Sequence, residues 1–576
     1  MSANYAVEVG RPPGAPKKVA VFVAHGMGQQ IPFQTLDAVA EGLLREERAE
    51  RERNDDPTPI PKPVSRTMRF KEQWFSRVEL KLKAGANAVE THVYEGYWAP
   101  LTEGKVTGRD VIRFLYGAGS NGVKNAKKGQ FKRWLFDQYR EYPIAIRTVL
   151  YLLVALAVIA ALVTMNSAIA LVAAGRALLA DRPRWLTDGL FIDLTTTFNA
   201  VIVAMAIFGV ALLIGKALRS RGVRELQVTW GLLTVGLFVA ALWIVILAGL
   251  SIPLLFYGHI RGGAAPTEQL WHRLLPSPTV DAFNRGFDSW AWWLAVAVAA
   301  VVTVWWLLKI LRGILRDLGE EGGVGRTLLV AIVFFSVVTS ALLLLGAFNN
   351  LGAGDLTAQR SGLAWVLLVV ASVFIKKVLV QFVGDVAVYV MPYRLDAFTE
   401  LRKEIKETVY TVARGVYEMT QQQGVPEYDH VVVVGHSLGS VIVYDVLNRL
   451  IREDEAAGTT LKVVERTPLL LTFGSPLDKT AFIFGVQGKG TSEARESLAA
   501  SVQPLIQADK YRPNRWINVY SPWDIISGKL KFYDLPDAAR PPGVENEIDP
   551  NATTLLIAHT EYWENPLIFR RMYEAI

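Results

Sequence analysis

Between residues 144 and 382 the chain is overwhelmingly apolar, and this block constrains the fold more than anything else in the sequence. A helix crosses the hydrocarbon of a bilayer in about 20 residues, satisfying all its backbone polar groups internally. Residues 148–175 and 194–215 are uncharged runs of that length, and 226–260 is longer, with room for an interfacial end. Residues 289–308 and 327–351 complete five clear candidates, while a sixth, 361–375, is short and stops at Lys376 and Lys377. The composition agrees, at 51% hydrophobic against 20% charged, a balance uncommon in soluble domains. Core helices of a large soluble protein are the competing explanation, but such runs are shorter and interrupted by polar residues.

Loop charge orients the block. Lys124, Lys127, Lys128, Lys132, Arg133 and Arg140 precede the first span. Lys216, Arg219, Arg221 and Arg224 follow the second, and Lys309, Arg312, Arg316 and Arg326 follow the fourth. The alternate loops balance Arg176, Arg182 and Arg184 with Asp181, Asp188 and Asp193, and Arg360 with Asp355. By the positive-inside rule both termini are then cytoplasmic, which requires an even number of spans, and six fits. Three blocks result: 1–140, a transmembrane bundle at 144–382, and 383–576. Residues 124–140 mix basic and aromatic side chains, as an interfacial anchor or a solvated helix would, and 378–393 are amphipathic. The net charge of +7 sits mostly beside the apolar runs, where it suits anionic headgroups. No recognition motif points to nucleic acid. The chain has no cysteine, which excludes disulfides, thiolate metal sites and a cysteine nucleophile. Residues 1–18 lack the apolar core of a secretory signal.

The flanking blocks read as α/β. Residues 18–24 form a buried strand ending in the turn His25-Gly26-Met27-Gly28; a helix at 36–51, a loop at 54–63 and strands at 77–83 and 90–98 follow. The last block opens with a helix at 396–421, then the valine-rich strand 430–434, the turn Gly435-His436-Ser437-Leu438-Gly439 and a helix at 440–452. Strand, G-x-S-x-G, helix is the setting of a nucleophile elbow, in which small residues let neighbouring chains close on a strained serine. The following helix points its positive end at the site. Ser437 is therefore the candidate nucleophile.

An elbow serine needs a base, and the sequence offers 7 histidines. His430 and His436 flank the elbow strand, and His436 suits packing rather than catalysis. His259 and His272 lie in a loop of the apolar block, His92 in a strand and His25 in the first turn. His559, late in the chain after a short apolar run, remains. An acid between nucleophile and base completes the order Ser, Asp, His. Asp524, in the turn after the strand 516–520, is the choice, with Asp478 in reserve and Asp534 and Asp537 behind it. The competing role for Asp524 is an Asx turn. The oxyanion donors would be the N–H groups of Leu438 and Met27.

The runs AHGMG, VVVVGHSLG, LTFGSP, NVYSPWD and LLIAHTEYW resemble the lipase and serine-esterase branch of the α/β-hydrolase superfamily, over about residues 18–115 and 395–576. The HGMGQQ turn, with Gln30, is also similar to bacterial membrane proteins of undefined role, which implies the cytoplasmic membrane as location. The resemblance implies a mostly parallel sheet with flanking helices, interrupted here by the transmembrane block. It further implies ester hydrolysis through an acyl-serine, without metal or organic cofactor, on a lipid or other acyl ester. Two halves of one sheet must lie on one side of a membrane, which again favours six spans over five. A thioesterase or peptidase would use the same triad. A transport or signalling bundle with a regulatory hydrolase fold is the alternative of another class, although the spans lack the buried ionisable residues of ion pathways. Residues 481–512 and 529–550 are candidate lid or surface loops.

Overall fold

The computed structural model describes residues 17–26, 31–83, 88–102, 130–143, 224–261, 396–420, 425–458, 460–484, 493–535, 543–553 and 558–576, with scattered positions from 117 to 215. The chain divides into two compact units, one from Met1–Leu153 with Lys377–Ile576, the other Val154–Lys376.

In the first unit the described elements run, in chain order, β1 (Lys17–Ala24), α1 (Gln34–Arg53), β2 (Val64–Phe70), β3 (Gln73–Leu82), β4 (Val89–Glu95), β5 (Gln130–Leu135) and β6 (Gln138–Pro143). The second unit contributes α2 (Arg224–Arg261). The first unit resumes with α3 (Asp396–Glu418), β7 (His430–His436), α4 (Leu438–Ala456), β8 (Leu469–Phe473), α5 (Leu477–Phe484), α6 (Glu493–Ser501) and α7 (Pro504–Gln507). It closes with β9 (Arg515–Tyr520), β10 (Val544–Ile548), α8 (Ala558–Glu561) and α9 (Pro566–Ala575).

Eight strands form one mixed sheet in the order β10-β9-β8-β7-β1-β4-β3-β2. Six of them, from β10 to β4, are mutually parallel; β3 and β2 add an antiparallel edge. The chain is thus α/β, with helices flanking a mostly parallel sheet. The apolar run Val19–Ala24 explains the centre: β1 is buried on both faces, as parallel strands between two helical layers are. Val19, Val21 and Val23 face Leu36, Val39 and Leu43 of α1 and Phe569 and Met572 of α9, together with Val432, Val434, Leu471 and Val519. Each such side chain contributes about 1.5–3 kcal/mol on burial. On the opposite face, α4 packs against β7 and α3 against α4 and β1.

The central pairing joins distant parts of the chain. Val23 is level with Glu95 on one side and Val434 on the other, and Ala24 is level with Gly435. The early turn after β1 and the elbow after β7 therefore emerge side by side at one end of the sheet.

Two expectations need correction. Residues 130–143 form not a helix but the antiparallel hairpin β5–β6, turned through Phe136 (φ 47°) and Asp137 (φ 57°). Its apolar side chains are used inside the unit: Phe131 packs on Phe482 and Phe532, and Tyr142 on Phe532. Nor is 481–512 one long loop, since α6, α7 and a 3-10 turn at Asp509–Tyr511 occupy much of it, and 529–550 contains the edge strand β10.

In the second unit, α2 carries the 28-residue stretch Leu233–Ile260, with a mean hydropathy of 2.6 over 18 consecutive residues, and among the described residues it alone is long and apolar enough to cross a membrane. Val239, Trp243, Leu250, Leu254 and Tyr257, spaced by about one or two helical turns, are all exposed. The expected spans at 289–308, 327–351 and 361–375, and the stretch 378–393, lie outside the described residues.

Candidate active site

The elbow is built by close approach. Ser437 leaves β7 with φ 53° and ψ −126°, a backbone conformation that few non-glycine residues adopt and that is characteristic of functional sites. Its N–H donates to the Phe473 carbonyl at 2.9 Å, and its own carbonyl accepts the N–H of Ser440 at 3.0 Å. Glycine flanks it by necessity: a Cβ on Gly439 would lie 2.2 Å from the Ala24 oxygen, and one on Gly435 2.6 Å from the Ser440 Cα. Leu438 is the first residue of α4, so its N–H is among the first-turn donors without an intrahelical acceptor. The early turn abuts the nucleophile, for a Cβ on Gly26 would sit 2.7 Å from the Ser437 Cβ. Met27, the other expected oxyanion donor, lies outside the described residues.

Three residues distant in sequence converge at this end of the sheet. His559, on α8, places Nε2 2.7 Å from Ser437 Oγ and Nδ1 2.8 Å from Asp524 Oδ2. With Nδ1–H donating to the carboxylate, Nε2 is free to accept the serine proton. Asp524 is held in turn: Oδ1 accepts the Ile526 N–H at 2.8 Å, and Oδ2 also accepts the Tyr562 hydroxyl at 3.0 Å. Tyr562 OH accepts the Ser521 N–H at 2.8 Å and lies 3.0 Å from Ser527 Oγ. Burial alone would raise the Asp524 carboxyl, but the His559 imidazole and the donors at Ile526 and Ser527 outweigh it and hold the group below the usual carboxylate range. The Asx turn is present in the Ile526 contact, on the same side chain that meets His559.

The reserve acids serve other purposes. Asp478 accepts the N–H groups of Lys531 and Phe532, and burial pushes its carboxyl up to about 7. Asp534 accepts the Val544 N–H, and Asp537 lies outside the described residues. Of the other histidines, His25 is buried: its Nε2 accepts the Trp98 N–H at 3.1 Å and its Nδ1–H donates to the Gly26 carbonyl at 2.8 Å. Desolvation lowers it to about 4. His92 is buried inside the sheet.

Sequence reasoning missed Tyr562 and Lys479. Tyr562 stands three residues after His559, the spacing that brings side chains together on a helical turn, so the signal was present. Lys479 Nζ donates to the Ile525 and Ser527 carbonyls, bracing the loop that carries Asp524. Burial lowers it to about 8. No motif marks it. Among the described residues no cluster of His, Asp and Glu could hold a metal ion.

A serine hydroxyl within hydrogen-bond reach of an imidazole that a carboxylate orients, beside a helix N-terminus, can support nucleophilic attack on an acyl carbon. No family model matches the chain, and no curated protein or solved structure matches it either.

Proposed function

We propose that the protein is a membrane-integrated serine hydrolase of the α/β-hydrolase type that cleaves acyl esters of lipid-like substrates through an acyl-serine intermediate. The observation that carries this reading is the relay Ser437–His559–Asp524, with consecutive contacts of 2.7 and 2.8 Å. In this mechanism His559 takes the Ser437 proton as Oγ attacks the ester carbonyl, forming a tetrahedral oxyanion beside the Leu438 N–H. The imidazolium is stabilised by Asp524 and returns its proton to the leaving alcohol. Water, activated by the same imidazole, then releases the acid and restores the serine. Each oxyanion donor commonly contributes roughly 10²–10³ in rate.

Bilayer residence is supported by the apolar stretch of α2 and its outward-facing apolar stripe, because a stripe of this kind suits acyl chains better than water. Six spans, with both termini and the hydrolase unit in the cytoplasm, accommodate the pairing of β1 with β7 on one side of a membrane. Serine-directed fluorophosphonate labelling of the detergent-solubilised full chain tests the chemistry. Wild type should label and Ser437→Ala should not; equal labelling of the two defeats the proposal. Hydrolysis assays on acylglycerols, phospholipids, short-chain esters and acyl-thioesters then rank the substrates.

A further inference from the structure

His436 occupies the variable position of the elbow, and its side chain is bound at both nitrogens. Nε2–H donates to the backbone carbonyl of His559 at 3.1 Å, and Nδ1 accepts the indole N–H of Trp563 at 3.3 Å. The ring is 6% exposed; it stacks on Phe473 with centroids 4.9 Å apart and lies 5.1 Å from the His559 ring. These partners permit one form only, the neutral imidazole with its proton on Nε2, since a cation would leave the indole without an acceptor. A cation here would also oppose the positive charge that His559 must acquire.

We propose that His436 is a positioning residue that fixes the distance between base and nucleophile. This rests on the serine-hydrolase reading above. One peptide bond joins His436 to Ser437, a hydrogen bond joins its ring to the His559 backbone, and the His559 ring returns to Ser437 Oγ at 2.7 Å. The links form a closed circuit. Within it the His559 backbone cannot drift without breaking the bond to His436, so Nε2 stays within reach of the serine. Trp563, on the 3-10 turn Tyr562–Glu564 just beyond α8, clamps the same ring from the other side. Burial, with the neighbouring His559 charge, lowers His436 to about 3, in keeping with a neutral strut.

Three variants of the full chain test this: His436→Phe keeps an aromatic ring and removes both hydrogen bonds, His436→Gln retains an amide donor of similar reach, and Trp563→Phe removes the indole donor but leaves the His436–His559 bond in place. The readouts are kcat and KM on a water-soluble p-nitrophenyl ester, the rate of fluorophosphonate labelling and the thermal midpoint. Misplacing a base by a fraction of an ångström to one ångström lowers rates by about 10–100-fold. The Phe variant should lose that much in kcat and in labelling rate with KM unchanged, and the Gln variant should recover most of it. A Phe variant that reacts at the wild-type rate overturns the role, as does a Gln variant no better than Phe. Should the Phe variant not fold, His436→Leu, which also lacks both hydrogen bonds, decides: a lower kcat at constant KM supports the strut, and wild-type kcat removes it, while Trp563→Phe reads the clamp alone. Failure of the wild type itself to label would instead defeat the hydrolase reading.

Discussion

Among its described residues the first unit holds two carboxylate–histidine–hydroxyl chains of nearly equal dimensions. In one, His559 lies 2.8 Å from Asp524 and 2.7 Å from Ser437. In the other, His92 lies 2.8 Å from Glu90 and 2.8 Å from the Tyr428 hydroxyl. They differ in where the sheet puts them. His92 sits within β4, level with Ala20, and the Tyr428 hydroxyl is enclosed by Tyr94 at 2.5 Å and Arg77 at 3.3 Å. Burial, and then the adjacent Tyr94, push the Tyr428 phenol well above its ordinary range. The Ser437 hydroxyl instead ends a strand, under positive-φ backbone and beside a helix N-terminus and the Gly26 turn. On the serine-hydrolase reading, matching side chains at matching distances do not suffice. A reactive hydroxyl also needs space for an acyl group and donors aimed where charge will develop.

Each link of either chain can be cut by a single substitution. Ser437→Ala should show the largest effect, a fall in kcat on the order of 10⁶, measured on a soluble ester. Asp524→Asn should follow, with a loss of roughly 10⁴, because the amide favours the wrong imidazole tautomer. Glu90→Gln, the formally equivalent change in the second chain, should leave kcat untouched; any comparable loss would show that the two chains are not separate. Tyr428→Phe should also spare kcat, yet lower stability by about 1–3 kcal/mol by leaving buried partners unsatisfied, read as a reduced thermal midpoint.

Acid should separate the two by pH. Burial, then the Arg77 guanidinium, hold His92 below its ordinary 6.5. An unfolded chain takes up that proton near pH 6.5 while the folded one refuses it, so stability is full above 6.5 and declines as pH falls through it. His25 and His436, lowered to about 4 and 3, act in the same direction. Asp524, depressed below its ordinary 3.8, contributes stability above that value, which is lost as pH falls further. His92→Gln should flatten part of the decline below pH 6.5 in thermal midpoints, and Asp524→Asn only the part below about 4. An unchanged slope in His92→Gln would mean that the fold does not exclude the proton from His92.

Much of the candidate site was legible because its chemistry demands strong local signals. Four valines followed by Gly435-His436-Ser437-Leu438-Gly439 announce a buried strand and a tight turn, and few histidines compete for the role of base. The pairing of His559 with Asp524 could be read only as order along the chain; the contact itself depends on β9 and α8 reaching the same end of the sheet. The edges of the fold were less legible. β2 (VSRTMRF) and β10 (VENEI) are largely polar or exposed, since an edge strand gives fewer residues to the core and loses its apolar alternation. The β5–β6 hairpin turns on Phe136 and Asp137 rather than on Asn-Gly or Asp-Gly, so the usual sequence mark of a two-residue turn is missing. Its basic and aromatic residues carry the composition of a membrane anchor, and only the partners Phe482 and Phe532 reveal a packing role.

The position of β1 between β4 and β7 also sets a schedule for biosynthesis. β4 follows β1 out of the ribosome within tens of residues, but β7 comes about 400 residues later, roughly 20–80 s at usual rates of elongation. Throughout that interval the edge of β1 that will receive Val431 to Gly435 has no strand beside it. An unpaired, valine-rich strand edge is a template for aggregation. The nascent half-sheet therefore carries an open edge until the C-terminal half arrives.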